Sequence, residues 1–145
     1  MKTPDYRATT EPYIYARIGR LTFCPVAETD PAVRVELAYT DLPINTTLTA
    51  RLIAPSETLW LLERTGTELS SEALSARIER LPVEGTSQLT IVIAGTYGAA
   101  PPLLARAQFR WSLSQLTLLH EWARVLVLEQ LYRAAKIAAN EPYHH

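Results

Sequence analysis

The sequence predicts a mainly β protein: a seven-stranded antiparallel β-sandwich of immunoglobulin-like type, followed by one long C-terminal α-helix. Two observations predict this fold class. Short segments of alternating apolar and polar residues recur from Tyr13 to Ser112, separated by turn residues every ~8–12 positions, as in sandwich folds. From Leu113 to Ala139 the chain contains neither glycine nor proline and is rich in good helix formers.

The predicted strands differ in the strength of their signal. Alternation is cleanest from Val33 to Thr40. In the first strand the apolar phase slips by one residue after Gly19, which predicts a β-bulge or a bend there. Glu57–Arg64 is apolar at both odd and even positions, so we expect it to be covered on both sides or to lie near the C-terminal helix. The strands are predicted at 13–23, 33–40, 48–54, 57–64, 76–81, 89–93 and 103–111.

The segment 71–81 fits two structures. Ser71 and Glu72, followed by spaced apolar residues, suit a capped helix of about ten residues. Alternation between Ala76 and Leu81, running into Pro82, suits a short strand instead. The turn-like sequence that follows favours the strand, and an α+β fold with an extra short helix at 71–81 is the alternative.

The same patterns predict how the chain is divided. Residues 1–12 are polar and are expected to form a flexible N-terminal arm, and 13–112 are expected to form the β-sandwich domain. Residues 113–140 are predicted to be the amphipathic helix, capped by Ser112 or Ser114 and closed by Asn140 and Pro142. Residues 141–145 are predicted to be a disordered tail.

Composition and charge exclude several classes of protein. The 145 residues are 48% hydrophobic and 20% charged, which is typical of one globular domain. Fourteen basic and fifteen acidic residues give a net charge of −1 without any block of like charge, so no nucleic-acid partner is predicted. The apolar runs are too short to span a bilayer, so no membrane association is predicted. The single cysteine, Cys24, fits a reducing compartment, and the predicted location is cytoplasmic.

The sequence shows no arrangement of residues that points to catalysis, to a cofactor or to a metal. The residue four positions after His120 is Arg124, which rules out an i, i+4 metal pair on the helix. Glu28 and Asp30 supply too few oxygens for calcium. The five glycines form no phosphate-binding loop. We therefore predict that the protein is not an enzyme and has no cofactor.

The C-terminal helix carries two apolar stripes. The first is expected to dock on the sheet and to place Leu116 in one core with Leu89, Ile91, Ile93 and Phe109. The second lies nearly opposite and would form a large apolar patch if it were left in water. The second stripe is predicted to bind a protein partner, in a homodimer or a hetero-complex, through Leu118, Trp122, Val125 and Tyr132.

These observations lead to two functional hypotheses. The favoured one is a non-enzymatic protein–protein interaction or assembly module that uses the doubly apolar helix. The alternative is a small-ligand-binding domain with a pocket between sheet and helix, lined by Trp60, Trp111 and Trp122.

Overall fold

A computed structural model of the chain describes residues 18–23, 33–40, 53–93 and 101–145. These residues form one five-stranded mixed sheet with three helices. The elements in chain order are β1 (Ile18–Phe23), β2 (Arg34–Thr40), β3 (Thr58–Glu68), α1 (Ser71–Arg80), β4 (Gln88–Ile93), α2 (Pro101–Arg106), β5 (Phe109–Ser112) and α3 (His120–Ala138).

The sheet has the strand order β1-β2-β4-β3-β5. Only the β1–β2 pair is antiparallel; β2–β4, β3–β4 and β3–β5 are parallel. Because β3 and β4 are parallel neighbours joined through α1, they form a β-α-β unit. The carboxyl ends of β2, β3, β4 and β5 therefore meet at one edge of the sheet.

Apolar side chains cover both faces of this sheet. On the first face the sheet packs against α1 and α3, with Trp60, Ile91 and Trp111 in the core. On the second face a smaller core contains Leu61, Val92 and other residues, and Leu103 of α2 closes it. Within the described residues, no helix is long and apolar enough to cross a membrane.

The predicted seven-stranded antiparallel sandwich is therefore wrong. Burial on both faces makes the interior strands apolar at consecutive positions, as at Leu59–Leu61 and Ile91–Ile93. Such runs do not by themselves distinguish a parallel sheet from a sandwich core. The crossover helices are also short, at ten residues in α1 and six in α2, so they leave little helical periodicity to detect.

The structure also corrects individual elements. Residues 71–80 are a helix, α1, whose N-cap is Ser70: its hydroxyl accepts a hydrogen bond from the Ala73 amide at 3.1 Å. The predicted strand 103–111 is split between α2 and β5. Gly19 pairs with Tyr39 in an unbroken register, so there is no bulge at that position. The predicted arm 1–12, and residues 48–52 of the predicted third strand, lie outside the described residues.

The long helix begins later than predicted, at His120 rather than Leu113. Ser114 is one reason, since its hydroxyl accepts a hydrogen bond from the Leu116 amide in a local turn. Leu116 is 70% exposed and does not join the core, whereas Leu89, Ile91 and Ile93 do, as predicted. The buried face of α3 consists of Ala123, Val127, Leu131 and Ala134.

The end of α3 has the hydrogen bonds of a Schellman motif. Asn140 adopts a left-handed conformation with φ 56°. Its amide donates to the Ile137 carbonyl at 3.0 Å, and the Glu141 amide donates to the Lys136 carbonyl at 2.9 Å. This motif turns the chain back, and residues 141–145 then lie against α3 and α1.

Ion pairs hold these last residues in place. Arg133 donates to Glu129, and the Tyr143 hydroxyl donates to the same carboxylate oxygen at 3.2 Å. The His144 ring lies between Arg133 and Glu72, with Nδ1 3.1 Å from the Arg133 guanidinium and Nε2 against the Glu72 carboxylate. Hydrogen bonds from Arg133 and from His144 lower the pKa of Glu129 and the pKa of Glu72, respectively, below the ordinary value of 4.5.

We predict that acid releases the C-terminal residues from α3. A carboxyl group whose pKa is lowered by folding stabilises the docked state above its ordinary value of 4.5. That contribution is lost as the pH falls through the lowered pKa. Nuclear magnetic resonance of Tyr143 between pH 6 and pH 3 should show its ring shifts moving toward free-peptide values below pH 4.5. Ring shifts that stay constant until the whole sheet unfolds would contradict this.

Candidate functional site

The topology places a switch point at the carboxyl ends of β3 and β4. The chain leaves β3 toward α1 on the first face of the sheet, and leaves β4 toward α2 on the second face. Adjacent parallel strands whose connections diverge in this way form a switch point, which is where open α/β sheets bind ligands. The segment 94–100 that follows β4 lies outside the described residues, so the described walls come from β3 and β5.

The first wall is an irregularity in β3. Leu62 and Thr67 both pair with Trp111 of β5, so residues 63–66 loop out of the strand at the carboxyl edge. Gly66 presses against β5 so closely that an added Cβ would lie 2.6 Å from the Arg110 carbonyl oxygen. Any larger side chain there would push the two strands apart, which explains a glycine at this position.

The second wall is the connection from β5 to α3. The buried hydroxyl of Ser112 lies 2.8 Å from the Arg64 carbonyl oxygen and 3.0 Å from that of Ser114. The Arg64 guanidinium donates to the Gln115 carbonyl at 3.5 Å. These contacts tie the 63–66 loop to the 112–115 segment, although they lie about fifty positions apart in sequence. Both walls are therefore held in a fixed relation.

Between the walls lies a small polar cavity of about 300 Å³. This volume is at the lower end of the range for small-ligand pockets. The cavity brings together a guanidinium, a hydroxyl, a carboxylate and an amide. It is lined by Arg64, Thr65, Gly66, Glu68 and Gln115.

Glu63, at the start of the loop, has an unusual environment. Its Oε1 accepts a hydrogen bond from the Thr65 hydroxyl at 2.5 Å. Its Oε2 is shielded from solvent, and no described residue donates to it. Buried polar atoms in folded proteins nearly always have a partner, so this oxygen is an exception among the described residues.

A second, apolar groove lies elsewhere, between α1, α3 and the β1–β2 end of the sheet. Its volume is about 350 Å³, and it is lined mostly by aliphatic side chains such as Val33, Ile78 and Leu131. It lacks the convergent polar groups of the carboxyl edge. Among the residues that the structure describes, no three histidine, cysteine, aspartate or glutamate side chains are grouped to hold a metal ion.

The three tryptophans of the predicted ligand pocket do not line a common pocket in the structure. Trp60 and Trp111 are each 2% exposed and pack edge to face in the core, with ring centroids 6.5 Å apart. Trp122 is 64% exposed on the outer side of α3. The expected pocket between sheet and helix is therefore a packed core, and the ligand-binding interpretation built on it is wrong.

The four residues predicted to bind a partner lie on the outer side of α3 or just before it. Trp122, Val125 and Tyr132 are exposed, by 64%, 56% and 36%, and Leu118 is half-buried. Leu119 and Leu126 extend this exposed apolar surface. Partner binding by this face remains a prediction.

Sequence reasoning missed Glu63, Ser112 and the loop at 63–66. Two signals were present. A polar residue, Glu63, directly follows the apolar part of β3, and another, Ser112, ends β5. These signals indicate a site only when β3 and β5 are known to be parallel neighbours, because both strands then end at the same edge of the sheet.

We predict that Trp122→Glu combined with Val125→Glu leaves the fold intact, because both side chains are exposed. If the outer face of α3 binds a partner, the variant should elute at monomer mass in size-exclusion chromatography with light scattering, while the wild type elutes as a larger species. Val83→Glu, at a residue 87% exposed on a distant turn, is the matched control. A monomeric wild type that captures no partner would contradict the prediction, as would unfolding of the double variant.

Comparison with known proteins finds relatives with one shared name. A "Ribosomal RNA large subunit methyltransferase H" of Dictyoglomus thermophilum is 43% identical over 84 residues, which are 58% of this chain and 55% of the relative. The protein of that name from Syntrophotalea carbinolica is 46% identical over 84 residues, covering 58% of this chain and 54% of the relative. The protein of that name from Rubrobacter xylanophilus is 46% identical over 98 residues, which are 67% of this chain and 62% of the relative. The chain thus spans little more than half the length of the curated relatives it matches.

These findings overturn the functional predictions. Relatives that are named as methyltransferases contradict both the non-enzymatic assembly module and the prediction that the protein is not an enzyme. The name also specifies an RNA, which contradicts the exclusion of a nucleic-acid partner. Net charge and the absence of like-charge runs were a poor guide, because charges that are far apart in the sequence can lie together on the folded surface.

The family comparison agrees with the relatives and with the mixed α/β sheet. The family model described as "Predicted SPOUT methyltransferase" matches residues 5–144, which is nearly the whole chain. The chain belongs to the SPOUT methyltransferase family.

Proposed function

We propose that the protein transfers a methyl group from S-adenosylmethionine to the ribosomal RNA of the large subunit, and that the reaction takes place at the carboxyl edge of the sheet. Three findings support this: the family, the names of the relatives, and the site geometry. The observation that carries the proposal is the polar cavity between the carboxyl end of β3 and the segment that follows β5, lined by Arg64, Thr65, Gly66, Glu68 and Gln115.

The residues at this edge fit such a methyl donor. S-adenosylmethionine carries a positive sulfonium, an ammonium, a carboxylate and two ribose hydroxyls, so its site needs hydrogen-bond acceptors, negative charge and a cationic donor. The cavity lining offers the Glu68 carboxylate for the first two and the Arg64 guanidinium for the last. When bound, the donor supplies an electrophilic methyl group on sulfur.

The contribution of the protein is to bind and orient. Leu62–Gly66 and Ser112–Gln115 would hold the donor, and their mutual hydrogen bonds fix its position. Trp111 and Ser112, at the end of β5, are each 2% exposed, so this end of the strand is firmly packed. A methyl transfer needs the two reacting atoms aligned at short distance, so rigid walls lower the barrier by positioning.

Unpaired cations beside the site favour an RNA substrate. Arg110 and Arg64 are exposed, and no described carboxylate lies within salt-bridge distance of either guanidinium. The backbone of Arg110 lies against Gly66, a residue of the cavity lining, and Arg64 is itself part of that lining. Guanidinium groups placed there can neutralise RNA phosphates and position the strand.

A cytoplasmic location follows from the same proposal, because ribosomal RNA of the large subunit is the substrate named for the relatives.

A methylation assay tests the proposal. The protein is incubated with S-adenosylmethionine labelled on its methyl group, together with assembled large ribosomal subunits, naked large-subunit RNA or small-subunit RNA. We expect label in large-subunit RNA, free or assembled, and none in small-subunit RNA. Arg110→Gln should reduce the rate at low RNA concentration and weaken its salt dependence, because one phosphate contact is lost.

The control is Arg34→Gln, since Arg34 lies on β2 and pairs with Glu36 at 3.1 Å, away from the carboxyl edge of β3 and β5. Its rate should match that of the wild type. No transfer to any ribosomal RNA, by a protein shown to be folded, would refute the proposed function.

A further inference from the structure

Arg77 of α1 is a half-buried cation that makes no ion pair or hydrogen bond with any described residue. Its contact is with an aromatic ring: the guanidinium carbon lies 3.9 Å from the centroid of Phe109. The residues three and four positions away on the helix, which are its neighbours there, include no acid; they are Ala73, Leu74, Arg80 and Leu81. The charge and the N–H donors of Arg77 are therefore available to a molecule outside the described fold.

Phe109 holds this guanidinium in place. The Phe109 ring packs edge to face on Trp60, with centroids 5.3 Å apart, and Trp60 is 2% exposed in the core. The cation–π contact with this fixed ring orients the guanidinium before any ligand binds. A planar guanidinium oriented in advance loses little conformational entropy on binding, and its paired N–H donors fit the oxygens of a phosphate.

Arg110 lies on the other side of the same strand. It follows Phe109 in β5, and successive side chains of a strand point to opposite faces. β5 is the last strand on its side of the described sheet, so its outer edge runs between Arg77 and Arg110. Strand edges carry unpaired backbone amides, which are further donors to an anion.

This edge leads to the polar cavity. From Phe109 to Ser112 the strand extends about 10 Å. Gly66, which lines the cavity, lies against the carbonyl of Arg110. A chain of phosphates that follows β5 therefore passes Arg77 and Arg110 before it reaches the cavity, whereas a compound with one phosphate would need only one of these cations.

We propose that Arg77 and the outer edge of β5 bind the sugar–phosphate backbone of a single RNA strand that leads into the cavity, an inference that rests on the proposed function. A nucleotide that enters a cavity of about 300 Å³ must leave its stack, so the RNA there is unpaired. Arg77 is a substrate-binding residue that contacts the strand away from the reacting atoms.

Fluorescence anisotropy with a short labelled oligouridylate tests the contact, as the Kd measured over a series of KCl concentrations. Arg77→Gln should reduce the slope of log Kd against log salt by about 0.7, the contribution of one phosphate contact on a single strand. Arg77→Lys should keep the slope of the wild type and bind more weakly, because an ammonium group lacks the paired donors of a guanidinium.

The matched control is Arg80→Gln. Arg80 lies on the same helix, three positions further on, and pairs with Glu84 at 3.9 Å. Its slope should equal that of the wild type. Arg77→Met serves as a second neutral variant, since methionine retains an apolar contact with Phe109 if glutamine lowers the stability of the fold.

A slope that stays unchanged in both neutral variants, with the circular dichroism of the wild type, would overturn the inference. Competition by polyglutamate as strong as that by unlabelled oligouridylate of equal charge would also overturn it, because the edge would then fit an acidic protein.

The methylation assay separates this inference from the proposed function. Arg77→Gln should raise the KM for large-subunit RNA about fivefold near 0.1 M salt and leave kcat unchanged. A normal KM would count against the role of Arg77 alone. A wild type that binds oligouridylate through Arg77 but methylates no ribosomal RNA would contradict the proposed function and leave the binding edge standing.

Discussion

The parallel pairing of β3 with β4 determines how both faces of the sheet are covered and where its connections run. Leu59 and Leu61 of β3 and Leu89 and Ile91 of β4 are fully buried, on opposite faces of the sheet, so each face needs its own cover. The α1 crossover, packed with α3, covers one face, and α2 covers the other. Since parallel strands cannot be joined by a tight turn, this pairing also dictates the two crossovers and the place where they diverge.

The candidate site is a consequence of that divergence. Connections that leave β3 and β4 toward opposite faces open a crevice at the carboxyl edge, and β5 closes its side by pairing with β3. The irregularity at 63–66 then shapes the crevice. It is held in place by the close approach of Gly66 to the Arg110 carbonyl and by the hydrogen bond that the Ser112 hydroxyl donates to the Arg64 carbonyl. The proposed site thus lies where the hydrogen bonding between the strands ends.

Local patterns in the sequence predicted some elements and could not predict their assembly. Alternation located β2, and β-branched residues located β4, because both signals arise within a few residues. Whether such strands pair parallel or antiparallel depends on partners tens of positions away, so the sheet was missed. The site depends on the same long-range pairing: Ser112 and Arg64, which contact each other, are 48 positions apart. The apolar outer face of α3 was visible in the sequence, but what it binds was not.

Hydrogen–deuterium exchange with and without S-adenosylhomocysteine shows whether the carboxyl edge of β3, β4 and β5 holds the methyl donor. We expect the ligand to slow amide exchange in residues 62–66 and 112–116, and to leave exchange in the apolar groove between α1 and α3 unchanged. Slowed exchange confined to that groove, around Ile78 and Leu131, would show that the donor does not bind at the carboxyl edge.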